Sequence, residues 1–280
     1  MKNILLLVHD DPAQESRLQV ALDVTRGLGG HLECLSVREL PTLVHAEHSA
    51  READALTEAF SNGAGMGAAP GTGTEGGAGR ALLKADIRKR LELEDVAYSL
   101  DRSFDSPADA LTYASDFADL IVMSSRLHDP GSEESPPQRL PLKSERAILA
   151  VPPCAQSLDL AGTVLIAWDG SRPSVEAVRA AVPLIASARE VVMIEVDPPS
   201  GALRMETAAI YLSRHGITPD LVERSREETV AATLLDHVNN IEADLLVMGA
   251  YSRHPTVERV FGGVTRTMLQ RSPVPLLLAH

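Results

Sequence analysis

The chain has 280 residues, 44 % of them hydrophobic and only 3 % aromatic, and carries a formal net charge of −13. That length suits two domains better than one, each burying a core of Leu, Val, Ile and Ala. The acidic balance argues against nonspecific nucleic-acid binding, which depends on Lys and Arg neutralising phosphates, and against docking on anionic membranes.

The first apolar run, Ile4–Val8, ends in His9-Asp10-Asp11, too short and too charged for an export signal. No stretch nears the roughly 20 apolar residues that span a bilayer. A cytoplasmic location is therefore expected by elimination. A helical pattern follows over Glu15–Leu28 and stops at Gly29-Gly30, and His31–Val37 reads as a second strand. Ser61–Gly79 contains eight glycines and little apolar content. It reads as a mobile insertion rather than a phosphate loop, because no strand runs into it and no Lys-Ser/Thr follows. A helix is expected over Pro107–Phe117, a strand over Ala118–Ser124 (ADLIVMS) and a last strand over Ala147–Pro152.

The pattern then repeats. Val164–Ala167 is a strand, Asp169-Gly170-Ser171 a turn, Ser174–Ala188 a helix and Glu190–Val196 a strand. Glu228–Ile241 is helical, Ala243–Gly249 (ADLLVMG) echoes Ala118–Ser124, and Val274–Ala279 closes the second half. Alternating strands and helices imply parallel sheets with right-handed crossovers. The boundary falls in Pro152–Ala161, which separates domains at 1–154 and 160–280.

The stretch Met248–Ser272 carries the chemistry. A buried strand ends at Gly249, a polar loop follows, and Gly262-Gly263 opens a helix. In doubly wound sheets ligands bind at the carboxyl ends of strands, and free N–H groups at a helix start favour an anion. Thr265 adds a hydroxyl one turn in. From Tyr251 to Arg271 there are four arginines and one acid, Glu258. That strip is compatible with phosphate, but composition alone favours a helix C-terminus balanced by Arg271 plus solvated arginines.

Val164–Ser171 (VLIAWDGS), Ala243–Gly249 and Gly262–Pro275 (GGVTRTMLQRSPVP) resemble the universal stress protein family over essentially all of 162–280. The first half resembles it in architecture and in Ala118–Ser124. The resemblance implies two tandem doubly wound, mainly parallel five-stranded α/β sheets, Rossmann-like and related by a pseudo-twofold. Nucleotide-binding members of the family carry Gly-x-x-Gly, nine residues, then Gly-Ser/Thr. Here the pattern stands as Gly249-x-x-Ser252, nine residues, Gly262-Gly263, then Val264-Thr265. Ser252 replaces a glycine, and Gly263 replaces the hydroxyl residue.

By the same resemblance Trp168, Asp169, Val196 and Asp197 would face an adenosine. The expected ligand is ATP or AMP, with no metal beyond a nucleotide-associated Mg. Trp168 either stacks on that ligand or fills space. The resemblance also implies that the fifth strands pair within the chain, with a homodimer as a further association. The first half, with Pro130, Pro136, Pro137 and Pro141 in the corresponding stretch, is expected to have no nucleotide site and to serve as a structural partner.

Other constellations are weaker. His45 and His48 stand three apart, without further clustered metal ligands. Cys34 and Cys154 form no framework and read as small hydrophobes in or near strands. Asp10, Asp11 and Asp169 suit turns and helix caps better than acid–base roles. No Gly-x-Ser-x-Gly elbow or Walker lysine appears. A non-enzymatic stress-response protein is the leading expectation. An interaction module that has lost the nucleotide is the alternative, followed by a nucleotide-using enzyme on the same fold.

Overall fold

The computed structural model describes residues 1–8, 11, 13–37, 75–104, 117–126, 146–197, 203–250 and 263–280. His45 and His48, residues 61–74 of the glycine-rich segment and the expected helix over 107–116 lie outside them.

The first half runs β1 (Asn3–Val8), α1 (Gln14–Leu28), β2 (His31–Val37), α2 (Glu75–Glu92), β3 (Ala97–Phe104), β4 (Leu120–Ser124) and β5 (Ala147–Val151). The second runs β6 (Thr163–Trp168), α3 (Arg172–Ile185), β7 (Glu190–Val196), α4 (Met205–Ser213), β8 (Asp220–Arg224), α5 (Val230–Asn240), β9 (Leu245–Gly249), α6 (Gly263–Arg271) and β10 (Leu276–Ala279). Ten strands form one sheet in the order β3-β2-β1-β4-β5-β10-β9-β6-β7-β8. Pairing is parallel within each half, as continuous apolar runs such as LIVMS and AILAV require when both faces are covered. At the seam β5 and β10 pair antiparallel, with Leu277 opposite Leu149. The expected internal contact between fifth strands is therefore what joins the halves.

Antiparallel pairing keeps corresponding helices on one face. Ile4 and Leu6 of β1, Leu18 and Leu22 of α1, Val164 and Ile166 of β6 and Ala177 and Ala181 of α3 share a single core across the seam. On the opposite face of the second half Leu165, Leu246, Leu234, Met268 and Leu269 make another core under α5 and α6.

Helix ends follow local chemistry. Gly29 adopts φ 54°, and the Gly30 N–H bonds the Thr25 carbonyl at 2.8 Å, closing α1. Ser171 caps α3 by accepting from the Ser174 N–H at 3.3 Å, and Thr229 caps α5 by accepting from Ala232 at 3.1 Å.

Two expectations need correction. Helix α2 starts at Glu75, so the last five residues of the segment expected to be mobile, 75–79, are helical. The helix formers that follow, from Arg80 onward, carry the helix back into that stretch, and Glu75 suits a helix start. Cysteine is the other case. Cys34 is buried on β2, and burial beside Glu33 pushes its thiol up to about 12. Cys154 is exposed in the connection between the halves, with its sulfur 3.5 Å from the Pro273 carbonyl. That connection is irregular, as expected, but not loose. Ala155 and Leu158 are buried, and the Leu158 N–H donates to Asp23 at 3.0 Å.

Candidate functional site

Strands β6 and β9 are neighbours, and the chain leaves them toward opposite faces, through α3 and through α6. Their carboxyl ends therefore bound a crevice at the point where the strand order reverses. Two helix N-termini converge on it, and they differ in what they have left to offer.

The α3 terminus is already occupied. The Asp169 carboxylate accepts from the Ser171 N–H at 3.0 Å and from the Ser171 hydroxyl at 2.5 Å. Gly170 turns the chain with φ 68°. Beneath this turn lies Gly249, the last residue of β9. A β-carbon on it would stand 2.5 Å from the Ser174 nitrogen and 2.7 Å from the Pro173 carbonyl carbon. Glycine is needed there for close approach of backbone to backbone; Gly249 is not among the glycines with positive φ.

The α6 terminus begins at a residue without a side chain. A β-carbon on Gly263 would meet nothing within 4 Å. Val264 is half-buried against the α5–α6 core, and Thr265 one position on is 4 % exposed. Ala167 at the end of β6 and Val196 at the end of β7 pack half-buried on that same core. Ala167, Val196 and Val264 thus share one apolar core beside the α6 start, where the first N–H groups have no partner within the helix. Ser252 and Gly262 lie outside the described residues.

Strand alternation sends Trp168 to the other face, into the α1–α3 core with Ile166. It is 3 % exposed, and its indole N–H donates to the Leu203 carbonyl at 2.9 Å. Of the two expectations for Trp168, stacking on a ligand or filling space, the geometry matches the second. The indole does not plug the crevice, and only its backbone borders it.

Sequence reasoning left three features unread here: Ala167, the backbone conformation of Asp197, which it had named only by position, and Glu195. Ala167 is small and drew no attention, although alternation around Trp168 marks it as the residue facing α6. Asp197 takes a left-handed backbone, φ 47°, held by its N–H on the Arg224 carbonyl at 3.1 Å and by an ion pair with Arg226 at 3.0 Å. Its position just after a strand and before Pro198 was the available signal. Glu195 is buried opposite Trp168 on β7. Burial, then Glu223, Glu206 and Asp169, raise its carboxyl above the ordinary range. Among the described residues no group of three or more His, Cys, Asp or Glu could hold a metal ion.

The first half is built differently at the matching places. Ser124 stands where the second half has Gly249, and Arg17 where it has Ala177. Arg17 is fully buried; its Nη1 and Nη2 donate to Asp11 at 2.9 and 2.8 Å, and Nη2 also donates to Gln14.

Fold and crevice together define a tandem doubly wound α/β protein with a glycine-started helix, α6, at the switch point of its second half. Residues 161–280 match the model described as the Universal stress protein family. A universal stress protein of Synechocystis is 33 % identical over 82 residues, 29 % of this chain and 51 % of that protein, so the chain spans about half that relative's length. The crystal structure of a universal stress protein from Archaeoglobus fulgidus aligns with a TM-score of 0.67 over 99 % of this chain and 96 % of its own, at 16 % identity. A putative universal stress protein from Pseudomonas aeruginosa aligns with a TM-score of 0.55 over 99 % and 93 %, at 15 % identity. Residues 161–280 are thus similar to that family, and the whole chain takes the fold of these structures. Among the described residues no helix is long and apolar enough to cross a membrane.

Proposed function

We propose that this is a stress-response protein whose C-terminal half binds an adenine nucleotide, ATP or AMP, with no reaction of its own to catalyse. The observation that carries the reading is the contrast between two helix starts at one crevice. The α3 terminus is satisfied by Ser171 and Asp169, whereas α6 begins at a glycine, Gly263, whose β-carbon position has nothing within 4 Å among the described residues. A phosphate would settle on the amides of Gly262, Gly263 and Val264, with Thr265 and Ser252 as hydroxyl donors. Ala167, Val196 and Val264 would floor the adenine, with the backbones of Trp168, Asp169 and Gly249 at its edge. A Mg ion would arrive with the phosphates.

An interaction module without nucleotide is the second reading. Gly263 favours it, because a glycine there supplies one donor where a Ser or Thr would supply two. In either case we place the protein in the cytoplasm. Any homodimer would use a surface other than the β5 and β10 edges, which pair with each other.

Mass spectrometry of denatured, freshly purified protein tests the reading, together with melting in added ATP or AMP. A co-purified adenine nucleotide is expected, or stabilisation of about 2.7 kcal/mol at a hundredfold excess over Kd. No bound nucleotide and no shift with either ligand would leave the interaction module standing.

A further inference from the structure

Helix α6 is held at both ends by different halves of the molecule. Its N-terminus opens at the second half's crevice. Its C-terminus points to the other edge of the sheet, since β5 and β10 run antiparallel and bring the carboxyl ends of the first half beside the amino end of β10. There Arg126, two residues past β4, donates from Nη2 to the Gln270 carbonyl at 2.9 Å. Cys154, also from the first half, lies with its sulfur 3.5 Å from the carbonyl of Pro273, in the turn that leads from α6 into β10.

The last carbonyls of a helix have no partner within it, and a cation placed there also complements the macrodipole. Thr265, Met268, Leu269 and the half-buried Val264 seat one face of α6 on the second half's core, and the Arg126 hydrogen bond adds a contact from the first half at its C-terminal end. A displacement at Gln270 is carried along the helical backbone from Gln270 back to Gly263.

We propose that Arg126 is a positioning residue: through the carbonyl of Gln270 it sets the axial placement of α6, and so the amides that receive phosphate in the other half. This rests on the nucleotide reading of the α6 N-terminus. It gives the first half a defined task, which is to brace the binding helix of the second from behind.

The test compares the full chain with its Arg126→Ala and Arg126→Lys variants. ATP affinity is measured by calorimetry, and the amide resonances of Gly263 and Val264 are recorded without nucleotide. Arg126→Ala should weaken ATP binding about two- to five-fold and move both resonances, while Arg126→Lys, keeping a charged donor, restores most of each. A variant that melts earlier yet keeps the wild-type Kd and unmoved Gly263 and Val264 signals would make Arg126 a local brace and overturn the proposal. A wild-type chain with no ATP affinity would refute the nucleotide reading alone. The resonances then decide the coupling: movement on Arg126→Ala supports it, and no movement overturns it.

Discussion

Gly249 and Ser174 meet with no room between them: a β-carbon on the glycine would lie 2.5 Å from the serine's backbone nitrogen. The obstacle is backbone, fixed by the first turn of α3, and cannot swing aside. Gly249→Ala should therefore cost about 1–3 kcal/mol in denaturant unfolding, the usual penalty for overpacking. Gly263→Ala, whose β-carbon would meet nothing within 4 Å among the described residues, should stay within about 0.5 kcal/mol of wild type or gain slightly from helix propensity. Equal losses at the two glycines would contradict this geometry.

Trp168 offers a spectroscopic check, being the only tryptophan. Its indole sits on the face away from α6 and spends its N–H on Leu203. Saturating ATP should leave its emission maximum in place, whereas a stacked indole would be quenched. Trp168→Phe should cost on the order of 1 kcal/mol for the lost hydrogen bond, and Trp168→Ala about 3–5 kcal/mol for the cavity.

Asp119 ties the chain's start to β4. Its carboxylate accepts from the backbone N–H groups of Lys2 at 2.6 Å and Asn3 at 3.0 Å, and these two bonds hold its pKa below the usual range. A depressed folded pKa contributes stability above the unfolded value, about 3.9, that is lost as pH falls through the folded one. Asp119→Asn should flatten that part of the acid-unfolding curve and leave its neutral and alkaline shape unchanged. An unaltered acid limb in the variant would refute the assignment. Asp244 repeats the arrangement in the second half, accepting from the Thr163 N–H at 2.8 Å.

Glu195 works with the opposite sign. Burial and the surrounding acids raise its folded pKa, so its charge costs stability at neutral pH and the cost fades as pH falls toward the unfolded value, about 4.3. Glu195→Gln should melt higher than wild type at pH 7 and equal to it near pH 4. A variant that is less stable at pH 7 would mean that the ionised carboxylate has a partner holding it.

Most strands were legible because they are dominated by apolar residues between turn signals. His31–Val37 and Glu190–Val196 match the strands residue for residue. The edge strands β3 and β8 were not, since AYSLDRSF and DLVER carry neither an apolar run nor clean alternation. They are strands because β2 and β7 offer open hydrogen-bonding edges.

The sequence alone determined the duplicated α/β architecture and the helix that begins at Gly263. Each of these follows from local pattern: apolar periodicity, glycine at helix ends, repetition of one order of elements. Tertiary structure decided which face Trp168 takes, why Gly249 must lack a side chain, and that Arg126 of one half reaches the far end of the other half's helix. Those are contacts between residues distant in sequence, and they arise only once β5 and β10 run antiparallel and bring opposite edges of the two halves side by side.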